Sequence, residues 1–296
     1  MTTTTITLNN GVEMPALGLG VFLTPAEQTA GAVGAAIRNG YRLIDTAAAY
    51  LNERAVGEGI RDSDVPRKDL FITTKMWPGQ YEAAMRAFDA SLSRLGLDYI
   101  DLYLLHWPVP AHFAVTAEAY RTMDKLRAGG RIRAIGVANF LPHHLRRLQE
   151  ETGLVPAVNQ IELNPFYTQP ATCEANSERG IVTQAWAPIG GTYLRNPNAV
   201  TNGAATPLKH PLITGLAGKY GKTPAQVVIR WHLDHGFSAI PKSVHTARII
   251  ENFAVFDFAL SAEEIAKIDA LDTGARAGGN PETFTADSYP TDVDAQ

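Results

Sequence analysis

Three strand-like stretches of the sequence each end in a side chain that could hold or transfer a proton. The apolar run that begins at Tyr41 ends in Asp45, a second run ends in Lys75, and a third ends in His106. Tyr50 follows Asp45 after five residues, just before a helix-like segment. Parallel barrels keep their catalytic groups at the carboxyl ends of their strands. We therefore expect Asp45, Tyr50, Lys75 and His106 to converge on one point.

Each of these residues also has a structural interpretation. Asp45 and Lys75 alone would more often form an ordinary ion pair, and Tyr50 alone would more often pack in a loop. Together they predict a chemical effect, because a lysine charge beside a phenol favours the phenolate and lowers the phenol's pKa from about 10. The expected result is a tyrosine that acts as an acid near neutral pH. His106 could donate a hydrogen bond to a substrate oxygen or pass a proton.

A metal ion is the alternative use of Asp45 and His106, and would suit a metal-dependent barrel hydrolase. A His-x-His pattern is absent, and we find no third carboxylate or imidazole at the neighbouring predicted strand ends. A metal site is therefore disfavoured. His143 and His144 are neighbours on a predicted helix and should point in different directions, so we expect both at the surface.

The later strand ends carry amides and an aromatic ring. Asn139 and Gln160 suit a carboxamide ligand, although bracing of loops is the plainer interpretation. Trp186 could stack on a flat ring or pack in the core. Beyond these, a strand ends and a helix begins among basic and hydroxyl groups suited to a phosphate, at Lys242, Ser243 and Arg248.

A carboxamide, a ring to stack on and a phosphate together describe a nicotinamide dinucleotide. The Gly-x-Gly-x-x-Gly fingerprint of a Rossmann domain is absent, since Gly18-Leu19-Gly20 does not complete it. The dinucleotide would therefore have to bind across a barrel.

Strand-like and helix-like patterns alternate along the chain, which favours an α/β (β/α)8 TIM barrel. Eight apolar runs centre near Leu17, Leu43, Thr73, Tyr103, Ile135, Val158, Thr183 and Ala239. Helical segments are predicted over 81–95, 116–128, 142–151 and 170–178, and capping residues predict further helix starts at Thr24, Thr223 and Ser261. The single domain 1–296 would add a β-hairpin over 5–14, a long loop over 190–209, extra C-terminal helices and a C-terminal loop over 272–296.

The composition excludes several classes of partner. The chain has 296 residues, of which 45% are hydrophobic and 19% charged, with a net charge of −4. It lacks a long basic run, so neither a nucleic acid nor a membrane partner is expected. We find no signal-peptide pattern at the N-terminus and no apolar run near the ~20 residues that span a bilayer. Cys173 is the only cysteine, which fits a reducing cytoplasm.

Many motifs in one order resemble the aldo-keto reductase family over about residues 6–284, and most of all its bacterial 2,5-diketo-D-gluconate and small-aldehyde reductases. The matching stretches are 43–47 with Tyr50, Asn52, Glu53 and Gly57; 73–75; 98–103 with His106, Trp107 and Pro108; 156–162; 240–243 with Arg248, Glu251 and Asn252; and 256–258.

This resemblance implies an NADPH-dependent oxidoreductase that reduces aldehydes or ketones to alcohols by hydride transfer, with Tyr50 as general acid. Lys75, held by Asp45, would make Tyr50 more acidic, and His106 would orient the carbonyl. The resemblance also implies a small-molecule carbonyl substrate and a monomer, with a weak dimer as the alternative. A cofactor-binding redox sensor with little turnover is the alternative function.

The remaining site residues follow from the same resemblance. Cofactor contacts are expected at Val21, Asn139, Gln160, Trp186, Ala187, Ile189, Lys242, Ser243, Val244, Arg248, Glu251 and Asn252, with the 190–209 loop as a belt over the pyrophosphate. Substrate contacts are expected at Phe22, Trp77, His106 and Trp107, with part of the tail above. The sequence departs from the family pattern at Phe22, Ala138 and Trp186, which affects cofactor affinity and substrate shape rather than the reaction.

Overall fold

Eight parallel strands form a barrel, as the sequence predicts. The computed structural model describes residues 4–191, 206–288 and 291–294. The strands pair in chain order within one sheet. Parallel bridges from Leu17 to Ala239 and from Gly20 to Lys242 join the first strand to the last. The result is a (β/α)8 fold whose strands all present their carboxyl ends at the same mouth.

The strands are β1 Thr5–Thr7, β2 Glu13–Pro15, β3 Gly18–Gly20, β4 Leu43–Asp45, β5 Phe71–Met76, β6 Ile100–Leu105, β7 Ile132–Ala138, β8 Val158–Glu162, β9 Val182–Trp186 and β10 Ser238–Ala239. The α-helices are α1 Ala26–Arg38, α2 Glu53–Arg61, α3 Ala84–Leu95, α4 Phe113–Ala128, α5 Pro142–Thr152, α6 Pro170–Glu178, α7 Pro211–Tyr220, α8 Pro224–Asp234, α9 Thr246–Phe253 and α10 Ala262–Asp269. None of the helices in these ranges is long and apolar enough to cross a membrane.

The antiparallel hairpin of β1 and β2 covers the end of the barrel opposite the mouth. Gly11 has φ +82 in the turn, as a tight asparagine-glycine turn requires. Met14 is fully buried and packs with barrel residues such as Leu43 and Leu102. Asn9 donates a hydrogen bond to the Pro156 carbonyl, which ties the turn to the barrel. The hairpin therefore closes one end of the barrel with apolar side chains, and the polar residues lie at the other end, the mouth.

Alternation along the strands decides which residues reach the interior. In β4, Leu43 packs inside the barrel, and Asp45, two residues later, points the same way at the mouth. The same period of two brings Lys75 and Gln160 to the mouth, where both bond to Asp45.

The predicted helix boundaries need four corrections. Helix α4 begins at Phe113, three residues before the predicted start at Thr116. Pro25, not Thr24, is the N-cap of α1, and no side chain caps that helix. The segment predicted as a helix from residue 81 begins with a 3-10 turn, Pro78–Ala83, before α3. The last predicted helix ends at Asp269 rather than near residue 271. The caps at Thr223 and Ser261 are confirmed, because each forms a complete capping box.

Candidate active site

Lys75 lies at the centre of a buried polar cluster at the barrel mouth. Its side chain is fully buried, and its Nζ donates to Asp45 Oδ1 at 2.6 Å and to the Thr46 carbonyl at 2.8 Å. The same Nζ lies 3.4 Å from the Tyr50 hydroxyl. The His106 ring is 5.7 Å from the Tyr50 ring, centroid to centroid. The structure therefore brings together Asp45 at the end of β4, Lys75 on β5, His106 directly after β6 and Tyr50 from the loop after β4.

The loop after β4 turns Tyr50 toward this cluster. A 3-10 turn, Ala48–Tyr50, is followed by Leu51 with φ +56, a left-handed conformation that costs a non-glycine residue about 1–3 kcal/mol. Asn52 holds the loop in place, because it accepts a hydrogen bond from Thr46 and donates to the Val21 carbonyl. These bonds also join the Tyr50 loop to the loop after β3.

The expected direction of the Tyr50 pKa is wrong for this structure. Burial and the neighbouring Asp45 carboxylate raise the pKa of Tyr50 well above its usual value. Lys75 does not reverse this, since its charge is already paired with Asp45. Burial lowers the pKa of Lys75, an effect that the pairing with Asp45 opposes. Burial likewise raises the pKa of Asp45 against the same pairing. Tyr50 is therefore held as a protonated phenol.

His106 is a neutral imidazole. Burial and the Lys75 charge lower the pKa of His106 well below its ordinary value. Its Nδ1 is buried without a hydrogen-bond partner within the described residues. A neutral imidazole has one N–H donor and one acceptor, so the ring keeps hydrogen-bonding capacity for a ligand.

The two amides proposed to bind a carboxamide already hold protein groups. Gln160 Nε2 donates to Asp45 Oδ2 and to Gln184 Oε1, both at 2.7 Å. Asn139 Nδ2 donates to the His106 carbonyl at 3.0 Å, and Asn139 Oδ1 accepts from Trp186 Nε1 at 2.9 Å. The bond to Asn139 fixes the orientation of the half-buried Trp186 ring. Both amides lie at the mouth, where Gln160 positions Asp45 and Asn139 positions Trp186.

The predicted phosphate site lies at the start of α9. Ser243 is buried and its Oγ accepts the His245 N–H, while Lys242 and Arg248 are exposed. Two cations and a hydroxyl at a helix N-terminus form a donor set that suits a phosphate monoester. One oxygen of the Glu251 carboxylate already accepts a hydrogen bond from Thr223 at 2.9 Å.

The other proposed cofactor residues surround the same mouth. Val21 is buried, and its N–H donates to the Asp45 carbonyl. Ala187 and Ile189 follow β9, and Ala187 has φ +46. Val244 is half-buried beside Ser243, and Asn252 is buried on α9. Most of the predicted 190–209 belt, residues 192–205, lies outside the described residues.

Aromatic side chains wall the mouth above the tetrad. Phe22 packs on Tyr50 with ring centroids 4.9 Å apart, and Trp77 meets His106 edge-on at 5.2 Å. Phe284 from the C-terminal segment stacks on Trp107 at 3.9 Å. The arrangement gives an apolar pocket with the Tyr50 phenol and the His106 imidazole at its floor.

Known proteins resemble this chain along nearly its whole length. The aldo/keto reductase family model matches residues 16–273. Morphine 6-dehydrogenase from Pseudomonas putida is 51% identical over 96% of each chain, and methylglyoxal reductase from Escherichia coli K12 is 46% identical over 95% of this chain and 98% of its own. An aldo-keto reductase structure from Bombyx mori in complex with NADP has a TM-score of 0.85 and 34% identity, covering 97% of this chain and 99% of its own.

The chain belongs to the aldo/keto reductase family. The family resemblance seen in the sequence is therefore confirmed.

In this aldo/keto reductase, the expected surface position of His144 is wrong. His144 is 2% exposed and its ring is 4.1 Å from that of His143, centroid to centroid. Within the described ranges, one group of potential metal ligands meets closely: His143, His144 and Glu282. His144 Nδ1 accepts the Leu141 N–H at 3.2 Å, so the neutral ring carries its proton on Nε2, the atom that faces Glu282. A histidine that binds a metal through Nε2 carries its proton on Nδ1 and donates from there. His144 has the opposite arrangement, which argues against a metal here.

Sequence reasoning missed several residues that support the site. Gln184 holds Gln160, and the Glu162 carboxylate accepts the Gly278 N–H at 2.9 Å, which fastens the C-terminal segment. Phe284 covers Trp107. The period of two along β9 could have placed Gln184 beside the strand end, whereas no local pattern pairs Glu162 with a glycine 116 residues later.

Proposed function

We propose that this protein reduces an aldehyde or ketone to an alcohol, with Tyr50 as the proton donor. As an aldo/keto reductase it is an NADPH-dependent oxidoreductase that acts on carbonyl groups. The observation that carries the assignment of Tyr50 is its hydroxyl, 3.4 Å from a lysine that is buried against a carboxylate.

The tetrad residues divide the work of protonation. A carbonyl oxygen gains negative charge during reduction, and donors aimed at that oxygen stabilise it. Tyr50 is held protonated and so has a proton to give, while the neutral His106 offers an N–H to the same oxygen. When the proton leaves, Lys75 stands beside the phenolate and stabilises it. Asp45 keeps Lys75 charged and in position.

The donor set of this chain fits NADPH. Lys242, Ser243 and Arg248 would hold the 2′-phosphate, and Trp186 would stack on the nicotinamide. Asn139 and Gln160 would bind the carboxamide through capacity that their protein bonds leave. Backbone and side-chain contacts from Val21, Ala187, Ile189, Val244, Glu251 and Asn252 complete the proposed site. When bound, NADPH supplies the hydride.

Substitution of Tyr50 by phenylalanine tests the assignment. Loss of the hydroxyl removes the acid but not the ring, so Tyr50→Phe should bind NADPH normally and lose at least about 100-fold in turnover of small aldehydes. NADPH oxidation, followed by its absorbance, measures the rate, and quenching of protein fluorescence measures cofactor binding.

Tyr41→Phe is the matched control. Tyr41 is buried and its hydroxyl donates to the Ile249 carbonyl, away from the tetrad. Its loss should leave turnover within about twofold. Full activity of Tyr50→Phe would remove Tyr50 from its role. Tight NADPH binding by the wild type with negligible turnover of a broad aldehyde panel would favour the redox-sensor alternative.

The cytoplasmic location and the monomeric state stay predictions. They rest on the sequence features given above, and cell fractionation and analytical sedimentation measure them.

A further inference from the structure

A cleft with a volume of about 420 Å³ opens beside Tyr50. Its size lies in the range that holds ligands larger than a three-carbon carbonyl compound. The residues that line the cleft are Phe22, Leu23, Ala49, Tyr50, Leu51, Thr291 and Asp292. One side of the cleft is therefore apolar, and the other side carries a carboxylate.

The apolar side of the cleft is unusually exposed. Phe22, Leu23 and Leu51 are 46%, 58% and 39% exposed, and they are three of the five large hydrophobic side chains that the described residues expose. Leu23 and Leu51 have φ +55 and +56, a conformation that leucine adopts only at a cost. Clustered apolar exposure on a strained backbone indicates a binding surface rather than chance.

The acidic side of the cleft is held by the C-terminal segment. Val293 is only 7% exposed and packs in the same core cluster as Trp77 and Phe284. This anchor places the exposed Asp292, its neighbour, at the rim. The described lining includes no lysine, arginine or histidine. Lys75, whose Nζ lies 3.4 Å from the Tyr50 hydroxyl, is already neutralised by Asp45.

We propose that the cleft selects carbonyl compounds with an apolar body and a neutral or positive charge, and that Asp292 determines this specificity. A carboxylate-bearing keto or aldehyde substrate would meet Asp292 without a cation to receive it. A protonated amine in the same position would be attracted. This inference rests on the proposed carbonyl reduction and adds the substrate class to it.

Three para-substituted benzaldehydes test the inference, bearing a methyl, a carboxylate or a trimethylammonium group. The measured quantity is the ratio of kcat/KM for the cationic aldehyde to that for the anionic one, with NADPH and at low ionic strength. Asp292→Asn should lower this ratio about fivefold, the size of one partly exposed charge interaction. Comparison between variants cancels the electronic effects of the substituents. Added salt should shrink the wild-type ratio, because salt screens exposed charges.

Asp287→Asn is the matched control. It removes the same charge from an exposed position in the same segment, outside the cleft lining. Its ratio should stay within about twofold of the wild type. If the protein reduces the neutral aldehyde, but the ratio of kcat/KM values is the same for the wild type and Asp292→Asn, this inference alone is overturned. Failure to reduce the neutral aldehyde would overturn the proposed function and this inference with it.

Discussion

Replacement of Asp45 by asparagine isolates the charge of the buried ion pair. The substitution keeps the size of the side chain and an oxygen that can accept a hydrogen bond. It leaves the fully buried Lys75 with the Thr46 carbonyl as its remaining strong partner. The variant therefore asks how much the uncompensated lysine charge costs the fold.

The cost should be large and should depend on pH. Breaking one partner of a buried pair destabilises a protein by about 3–5 kcal/mol. Burial already lowers the pKa of Lys75 in the folded protein, and Asp45 opposes that effect. Without Asp45 the folded-state pKa falls further below the unfolded value of about 10.4. The unfolded chain then binds the extra proton at pH values between the two, so stability rises with pH in that window. The deficit of Asp45→Asn should be greatest near pH 7 and smaller near pH 9.5.

Urea unfolding at the two pH values measures the deficit. A second variant, Asp45→Asn with Lys75→Met, removes the orphaned charge and should recover at least about half of the lost free energy, because an apolar side chain of similar length tolerates burial. An Asp45→Asn deficit that is the same at both pH values, or a double variant no more stable than the single one, would refute the argument that the buried charge causes the loss.

Two further predictions concern stability. Gly57→Ala should lower the free energy of unfolding by about 1–3 kcal/mol, because the added Cβ would lie 2.2 Å from the Leu95 carbonyl oxygen. Gly31→Ala on helix α1, where nothing lies within 4 Å of the added Cβ, should raise the free energy of unfolding by about 0.5–1 kcal/mol. Equal urea midpoints for the two variants would contradict both predictions. Burial lowers the pKa of His144 to about 4, so the neutral ring must be protonated on unfolding in acid and stability should fall as pH drops from 6.5 toward 4. His144→Asn keeps an acceptor for the helix cap but does not titrate, and an unchanged pH dependence of its unfolding would count against this account.

The strands and their order were predictable from the sequence because each barrel strand is an apolar run of the right length. Helix starts were predictable where a side chain performs the cap, as at Thr223 and Ser261. Thr24 has the same local pattern, yet its hydroxyl is buried without a partner in the described structure. The helix begins one residue later, and the Thr24 carbonyl instead accepts a hydrogen bond from Asn52, 28 residues along the chain. A local pattern carries no information about such a contact.

The pKa of Tyr50 shows a second limit. Sequence spacing predicts that a lysine and a phenol meet, and they do, at 3.4 Å. The sign of the pKa shift depends on how completely the phenol is buried and on which group neutralises the lysine. Both quantities arise from the assembled barrel mouth. The hydroxyl is therefore an acid held in its protonated form, which is the form that reduction needs.

Gln160 makes contacts that motifs considered singly do not predict. Its place near the carboxyl end of β8 suggested a ligand for a carboxamide, separate from the catalytic residues. In the structure the Gln160 side-chain amide donates hydrogen bonds to Gln184 and to Asp45, both at 2.7 Å. The series of contacts continues from Asp45 to Lys75 and from Lys75 to Tyr50. The groups proposed to bind the cofactor and the group proposed to donate the proton therefore form one connected unit. A change at Gln160 would disturb the carboxylate that keeps Lys75 charged, so its effect on turnover and its effect on cofactor binding share one physical cause.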